Sequence, residues 1–277
     1  MKILVTAKRV PDPEQKVKLK GAVLDVSAVN WQLNQFDEYA VETALRLTEN
    51  ASSTGAGARA PEDQVIVCGI GPKDVQQQLR QTLAMGADKA ILVDGADDAL
   101  DADVVARTLQ KIVEKEKPDL VLMGKLAADS ESNDAGQRLA GLLGWPQATF
   151  ACTVEITDGG KALSVGREVD AGMETKKVRL PAVVTVDLRI VAPHAVKNGK
   201  TASDHAYAEG PRYASLKGIM AAKKKTIEET TLAALGVTPT LKVKTIALEA
   251  PPARKAGIKV QSVEELVQKL HNEAKVL

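Results

Sequence analysis

The sequence VIVCGIGPKDVQQQLRQTLAMGADKAILVD, residues 65–94, contains two short apolar runs separated by a helical pattern. The runs, residues 65–68 and 90–93, are rich in Val, Ile and Leu, which is typical of parallel strands that are buried on both faces. Between them, residues 73–85 carry apolar side chains four apart, and Pro72 suits a first helical turn. The stretch therefore predicts a strand–helix–strand unit of a parallel sheet.

The same alternation continues on both sides of this unit. Residues 3–7 and 120–123 form two more apolar runs, and helical patterns cover residues 34–48, 103–116 and 132–143. Strands that alternate with helices, joined by right-handed crossovers, build a sheet with helices on both faces. The predicted fold class is therefore α/β, with a doubly wound, mostly parallel sheet.

After residue 149 the pattern changes to strands separated by short turns. Residues 150–156, 162–168, 174–180 and 182–190 alternate as strands do, so we expect hairpin strands that extend the sheet. A polar stretch, residues 191–210, follows and predicts a flexible surface insertion. Residues 50–63 are rich in Ser, Gly and Ala and predict a disordered insertion.

Beyond residue 226 the chain reads as an arm that ends in one amphipathic helix. An apolar stripe without a domain of its own needs a surface to lie on. The predicted organisation is a nucleotide-binding α/β domain in residues 1–190, an insertion with a partner recognition loop in residues 191–225, and an arm in residues 226–277. We expect this arm to pack on a partner subunit.

Composition excludes several classes of protein. A net charge of +1 and an aromatic content of 3% give no support to nucleic-acid binding. No apolar run approaches eighteen residues, so no membrane span is expected. Without a visible leader we expect a cytoplasmic protein if the source is bacterial and a mitochondrial matrix protein if it is eukaryotic. Cys68 and Cys152 lie in apolar runs and predict buried free thiols.

One candidate ligand site lies in GKLAADSESNDAG, residues 124–136. Ligands of open parallel sheets bind outside the carboxyl ends of the strands, and a helix N-terminus suits a phosphate. Lys125 adds a positive charge, whereas Asp129, Glu131 and Asp134 would repel a phosphate unless they face away. An acid-rich helix cap is the alternative interpretation.

Catalytic and metal-binding patterns are missing from the sequence. It has no serine elbow motif, no zinc-binding His-Glu signature and no reactive-cysteine setting. His194 and His205 are not joined by an ordered set of further ligands, so a surface insertion is preferred to a metal site. These features indicate a binding protein.

Residues 212–225, RYASLKGIMAAKKK, form what we call the recognition segment. Gly218 interrupts any long helix, so the segment predicts an exposed loop with Leu216 at an apolar tip and Lys223, Lys224 and Lys225 as a cationic patch. An apolar anchor beside steering charges suits docking to an acidic protein surface. The alternative is a surface turn followed by the start of a helix.

Seven motifs follow one another along nearly the whole chain, and together they resemble the beta subunit of electron transfer flavoprotein. They are AKRVPD (7–12), NQFDEYAVETALRL (34–47), LRQTLAMGADKAILV (79–93), GKLAADSESNDAGQRLAGLLGWPQATFA (124–151), REVDAGMETKKVRLPAVVTVDLRI (167–190), PRYASLKGIMAAKKK (211–225) and PPARKAGIKV (251–260).

The resemblance implies a nucleotide-binding αβ sandwich of the adenine nucleotide alpha hydrolase-like type. It implies a heterodimer whose alpha subunit holds most contacts to a single shared FAD, while this subunit holds AMP and has no catalytic residues. Such a dimer accepts electrons from acyl-CoA and related dehydrogenases and passes them to a membrane quinone oxidoreductase.

The resemblance also implies which residues bind AMP and which bind partners. Leu216 corresponds to a leucine that enters an apolar pocket on acyl-CoA dehydrogenases, with Arg212, Tyr213 and Lys223 beside it. Glu168 corresponds to a glutamate that pairs with the alpha subunit and holds the flavin domain in a resting orientation. The implied AMP contacts are Thr6, Asn34, Gln35, Phe36, Asp37, Ile70, Gly124, Lys125, Leu126, Ala127, Ala128, Asp129, Ser130, Glu131, Ser132, Asn133, Asp134 and Ala135.

The chain departs from this family in several places. Gln35, Leu126 and Ala135 stand where relatives usually have Pro, Gln and a hydroxyl residue, and Lys217-Gly218 replaces Pro-Asn. Residues 192–210 are inserted where relatives have a link of a few residues. Two other interpretations stay open: a bifurcating form with a second FAD in this subunit, and a free-standing nucleotide-binding regulator.

Overall fold

The computed structural model describes residues 1–16, 18–52, 55–250, 252–253 and 256–277. Pro251, Arg254 and Lys255, from the last of the seven motifs, therefore lie outside the described residues. The chain divides into two units. The first contains Met1–Val17 and Val26–Thr245, and the second contains Lys18–Asp25 and Ile246–Leu277.

The strands and helices follow in chain order. The strands are β1 (Lys2–Thr6), β2 (Arg9–Pro11), β3 (Leu19–Lys20), β4 (Val23–Leu24), β5 (Trp31–Leu33), β6 (Glu49–Ser52), β7 (Gly55–Arg59), β8 (Gln64–Gly71), β9 (Lys89–Asp94), β10 (Leu120–Gly124), β11 (Gln147–Thr157), β12 (Ala162–Val169), β13 (Gly172–Arg179), β14 (Ala182–Val186), β15 (Val196–Lys197) and β16 (Ile227–Thr231). The α-helices are α1 (Gln35–Thr48), α2 (Gln76–Met85), α3 (Ala102–Glu116), α4 (Ala135–Leu143), α5 (Leu216–Lys224) and α6 (Val263–Lys269).

The first unit is built on one large sheet with the strand order β13-β12-β11-β14-β10-β1-β8-β9-β16, and β15 pairs with β11. In this spatial order, every neighbouring pair from β11 to β16 is parallel. Strands β11, β12 and β13 form an antiparallel meander. The apolar runs predicted as buried strands are β1, β8, β9 and β10, which lie side by side. The predicted α/β class with a mostly parallel sheet is confirmed.

Helices cover both faces of this sheet. Alternate side chains of a strand point to opposite faces, so Ile3 and Val5 pack in one apolar cluster and Leu4 packs in the other. The first cluster includes buried residues of α1 and α2, and the second includes buried residues of α3 and α4. The Asp101 side chain caps α3 by accepting a hydrogen bond from Val104 N, as its place before the helix suggests.

The meander differs from the predicted series of hairpins. Strand β14 does not pair with β13; it lies between β10 and β11 and is parallel to both. Residues 227–231, assigned from the sequence to the arm, form the edge strand β16 beside β9. The choice of partner strand depends on contacts distant in sequence, which local patterns do not encode.

Two insertion-like stretches have more structure than we expected. In residues 50–63, strands β6 and β7 pair as an antiparallel hairpin, although Ser53 and Thr54 lie outside the described residues. Residues 191–210, predicted as a flexible surface insertion, are hydrogen-bonded to α1: the guanidinium of buried Arg46 donates to four carbonyls, those of Val191, Ala192, Ala208 and Gly210. Buried Asn198 further donates to the carbonyls of Arg46 and Glu49.

The recognition segment contains a helix where the sequence predicted a loop. Helix α5 begins at Leu216, and the Ser215 side chain caps it by accepting a hydrogen bond from Gly218 N at 3.0 Å. The alternative of a turn followed by a helix start is therefore the correct one. Gly218 does not interrupt this helix, which runs from Leu216 to Lys224, and it lies where α5 packs closely on α2.

The second unit contains the β3–β4 hairpin and the C-terminal residues. Leu248 N donates to the Ala22 carbonyl at 3.0 Å, which ties residues after 246 to the hairpin. Helix α6 is capped by Ser262, and its apolar residues Val263, Leu266 and Val267 are exposed. Among the described residues, no helix is both long and apolar enough to cross a membrane.

Candidate functional site

The order of strands reverses between β1 and β10. From β1 the chain adds β8 and β9 on one side, and then β10 on the other side of β1. Connections therefore leave the carboxyl ends of these two strands in opposite directions, which opens a crevice for a ligand in folds of this type. The loop after β1, the start of α1 and the β10–α4 loop, residues 125–134, meet there.

Asp37 holds this crevice together. Its buried carboxylate accepts hydrogen bonds from Thr6 Oγ1 at 2.9 Å, Lys8 N at 2.8 Å and Gly124 N at 3.0 Å. Burial raises the pKa of Asp37, and the hydrogen bonds partly oppose that shift. The side chain thereby ties α1 to the ends of β1 and β10, so its role in the site is to position other groups.

Asn34 holds the β10–α4 loop in place in a similar way. Its Nδ2 donates to the Leu126 carbonyl at 3.0 Å, and its Oδ1 accepts from Ala128 N at 3.1 Å. Both ends of the amide are thus occupied by the backbone of the loop, and the residue itself is buried. Asn34 fixes the loop conformation and presents residues 126–128 to the crevice.

Gly124 and Lys125 form the wall of the crevice beside Phe36. A Cβ atom at position 124 would lie 2.6 Å from Phe36 Cβ, so only glycine fits here. Lys125 Nζ lies 5.4 Å from the centroid of the Phe36 ring and pairs with Asp187 Oδ2 at 2.6 Å. The positive charge predicted for this site is present but already balanced by Asp187.

The acidic residues of the loop are balanced in a similar way. Asp129 pairs with Lys8 at 2.7 Å, and Asp134 pairs with Arg138 at 2.6 Å. Glu131 is exposed and adopts a left-handed backbone conformation, with φ of 55°. The repulsion of a phosphate that the sequence suggested is therefore much reduced, because two of the three carboxylates carry a cation partner.

Helix α4 follows this loop and begins at Ala135, three residues after the predicted start. The N–H groups of its first turn have no partner within the helix, and the helix dipole favours an anion there. Gln137, in the same turn, has a buried Oε1 atom without a hydrogen-bond partner in the described structure. The sequence analysis did not predict Gln137 or Lys8 as site residues, although both lie within the quoted motifs of residues 124–151 and 7–12.

The remaining predicted contacts are distributed around this crevice. Ile70 lies near the end of β8, and Gln35 is exposed at the start of α1. Ser132 and Asp134 also line a cavity of about 340 Å³ between the first turns of α3 and α4 and residues 242–245. Three further predicted residues of the loop are exposed: Ala128, Ser130 and Asn133.

The recognition segment presents an apolar surface. Leu216 is 79% exposed and Tyr213 is 98% exposed, with Met220 and Ile219 beside them on α5. Lys223 and Lys224 are exposed at the end of the helix. Lys225 is not part of that patch: its Nζ donates to the Ala87 carbonyl at 2.5 Å, and burial lowers its pKa.

Arg212 and Glu168, both predicted to contact a partner, have partners within the chain. Arg212 donates to Glu42 and Glu49, each at 2.7 Å. Burial alone would lower the pKa of Arg212, but the bonds to Glu49 and Glu42 outweigh it and raise the pKa. Glu168 lies in the β12–β13 hairpin and pairs with Arg189, and both side chains are more than half exposed.

The described part of the chain holds no cluster of residues suited to a metal ion. His194 is exposed, whereas the ring of His205 packs edge-on against Tyr207 with centroids 4.7 Å apart. Both histidines belong to residues 191–210, whose backbone accepts hydrogen bonds from Arg46.

The whole chain is similar to proteins of known family. Residues 21–235 match the electron transfer flavoprotein domain. A protein from Bradyrhizobium diazoefficiens, electron transfer flavoprotein subunit beta, is 44% identical over 279 residues, covering 100% of both chains. The human protein of that name is 42% identical over 277 residues, covering 98% of this chain and 96% of its own. One from Arabidopsis thaliana, described as mitochondrial, is 39% identical over 279 residues and covers 100% of both.

Proposed function

The chain belongs to the electron transfer flavoprotein family as a beta subunit, and we propose that it works in a heterodimeric electron carrier for acyl-CoA and related dehydrogenases. The observation that carries this proposal is the similarity over the full length of both chains to proteins named as beta subunits. In the proposed dimer an alpha subunit makes most of the contacts to a shared FAD. The electrons then pass from this FAD to a membrane quinone oxidoreductase. The chemistry belongs to the flavin, and we assign no catalytic residue to this chain.

We propose that this subunit binds AMP at the crevice between β1 and β10. The first turn of α4 can receive the phosphate, since its N–H groups have no partner within the helix and the acids Asp129 and Asp134 are paired. The unpartnered Gln137 Oε1 supplies a buried acceptor for a hydroxyl or amino group. AMP would supply no redox chemistry; it would fill the crevice and order the β10–α4 loop.

We propose that dehydrogenases dock on the recognition segment. Leu216 and Tyr213 form an exposed apolar surface, with Lys223 and Lys224 nearby for steering an acidic partner. Arg212 contributes by holding this segment on α1, since its charge is used within the chain. Glu168 remains available to the alpha subunit whenever it exchanges Arg189 for a cation of that subunit.

The experiment that tests the proposal is coexpression with an alpha subunit, followed by denaturation and identification of the released nucleotides. One FAD and one AMP per dimer are expected. Two FAD per dimer would replace the proposal with a bifurcating carrier. Recovery of a stable chain with nucleotide but without flavin or partner would indicate a free-standing regulator instead.

A further inference from the structure

Helix α5 packs on the end of α2 at Gly218. A Cβ atom added to this glycine would overlap the carbonyl oxygen of Ala84, in the last turn of α2. A backbone carbonyl in a helix cannot move aside as a flexible side chain can. Gly218 therefore allows an approach of the two helices that any other residue would prevent.

The C-terminal end of α5 is attached to the same helix. The Arg80 guanidinium, from α2, donates to the Ala222 carbonyl at 2.7 Å and also to the Lys225 carbonyl. Lys225 in turn donates to the Ala87 carbonyl just after α2. A side chain at position 218 would thus lift the first turn of α5 while its last turn stayed in place.

Leu216 lies two residues before Gly218, in the first turn of α5. It is 79% exposed, so packing of its own side chain does not decide where it lies. Its position depends on the backbone of α5, which the contact at Gly218 sets on one side and the bonds of Arg212 to Glu42 and Glu49 set on the other.

From this geometry we propose that Gly218 is a positioning residue for dehydrogenase docking: its close contact with Ala84 sets the place of Leu216 on the protein surface. The proposal rests on the proposed docking function of the recognition segment. Apolar anchors contribute through tight packing in a partner pocket, so a displaced leucine loses part of its contribution although its side chain is intact.

The test compares three variants of the heterodimer with an acyl-CoA dehydrogenase as reductant. Gly218→Ala and Leu216→Ala are both expected to raise KM for the carrier, the first by about threefold or more, with kcat changed less. Gly141→Ala is the matched control, since Gly141 is also a helical glycine but a Cβ there meets nothing within 4 Å. Reduction of the flavin by dithionite should be the same in all of them.

A double variant shows whether Gly218 acts through Leu216. With Leu216→Ala already present, Gly218→Ala should have no further effect on KM, because the anchor that it displaces is gone. Additive effects of the two substitutions would overturn the inference. If Gly218→Ala does not assemble with its partner, Arg80→Gln loosens α5 from α2 without added volume, and the same comparison is made.

The outcomes separate this inference from the proposed function. A KM that rises in Leu216→Ala but not in Gly218→Ala would overturn the positioning role and leave docking in place. A KM unchanged in Leu216→Ala would remove the docking function, and the role of Gly218 with it.

Discussion

Arg212 Nε donates a hydrogen bond to Glu42 Oε2 at 2.7 Å, and this contact joins the recognition segment to helix α1. The Glu42 side chain is 2% exposed and also accepts a bond from Arg46 Nε at 2.7 Å. A single buried carboxylate therefore binds two arginines: Arg212 of the recognition segment, and Arg46 of α1, which in turn donates to carbonyls of residues 191–210. Loss of one member of such a group leaves charges buried without a partner.

We expect Glu42→Gln to lower the free energy of unfolding by about 3 kcal/mol, because both arginines lose part of their balancing charge. Urea unfolding followed by circular dichroism measures this. Glu114→Gln is the control, since Glu114 forms an exposed pair with Lys111 and exposed pairs contribute roughly 1 kcal/mol or less. Equal losses in the two variants would show that burial of Glu42 has no special effect.

The contribution of Asp37 to the free energy of unfolding should fall as the pH rises. Burial raises its pKa in the folded protein above the ordinary value of 3.8. As pH rises from 3.8 to the folded-state pKa, the unfolded chain loses this proton and the folded chain keeps it, so the stability from this group falls. We expect Asp37→Asn to be the less stable protein at pH 4, and the difference in free energy of unfolding between it and the unsubstituted protein to narrow as the pH rises through the folded-state pKa of Asp37. A difference that widens over this range in urea titrations would contradict the raised pKa.

Truncation of Leu216 should weaken docking and leave the fold intact. Burial of a leucine side chain in a partner pocket contributes roughly 1.5–3 kcal/mol, so Leu216→Ala should raise the KM of a dehydrogenase for the carrier about tenfold to a hundredfold. Leu142→Ala is the control, because Leu142 is an exposed leucine on another helix, α4. A fall of many degrees in melting temperature, with docking unchanged, would make Leu216 a structural residue.

Glu168 and Arg189 should affect electron transfer in opposite directions. Their exposed pair contributes only roughly 1 kcal/mol or less, so a cation of the alpha subunit can compete with Arg189 for Glu168. Arg189→Ala should favour the resting orientation of the flavin domain, and Glu168→Ala should disfavour it, severalfold in each case. Rates of dehydrogenase-dependent reduction measure this, with FAD content as the control. Loss of FAD from either variant would show a structural role instead.

The elements that could be predicted from the sequence are those whose signal is local. Buried strands such as β8 and β9 are continuous apolar runs, and α3 combines an apolar face with a capping Asp101. The position of β14 could not be predicted, because pairing with β10 and β11 involves residues far apart in the chain. Its own sequence fits a hairpin equally well.

In the candidate site, too, features with a local sequence signal could be predicted and features that depend on distant residues could not. The β10–α4 loop could be located because a glycine, a lysine and a helix start follow a strand. Lys8, which balances Asp129, could not be assigned from the sequence because it lies far from that residue in the chain, whereas the pair of Asp134 and Arg138 has the i,i+4 spacing of helix neighbours. The hydrogen bonds of Arg46 could have been predicted in part. A charged residue on the buried side of α1 requires hydrogen-bond acceptors, and residues 191–210 supply them.

The position of β14 also constrains the order in which the chain can assemble during synthesis. Strands β1, β8, β9 and β10 can pair as soon as residue 124 is available, and together with α1 to α3 they already have buried faces. In the described sheet β14 lies between β10 and the meander of β11, β12 and β13, so the meander must wait for residues 182–186 before it can join the other strands. Until then the open edge of β10 faces the medium, and an arrested chain ending before residue 182 should be the form most prone to aggregation and most dependent on chaperones.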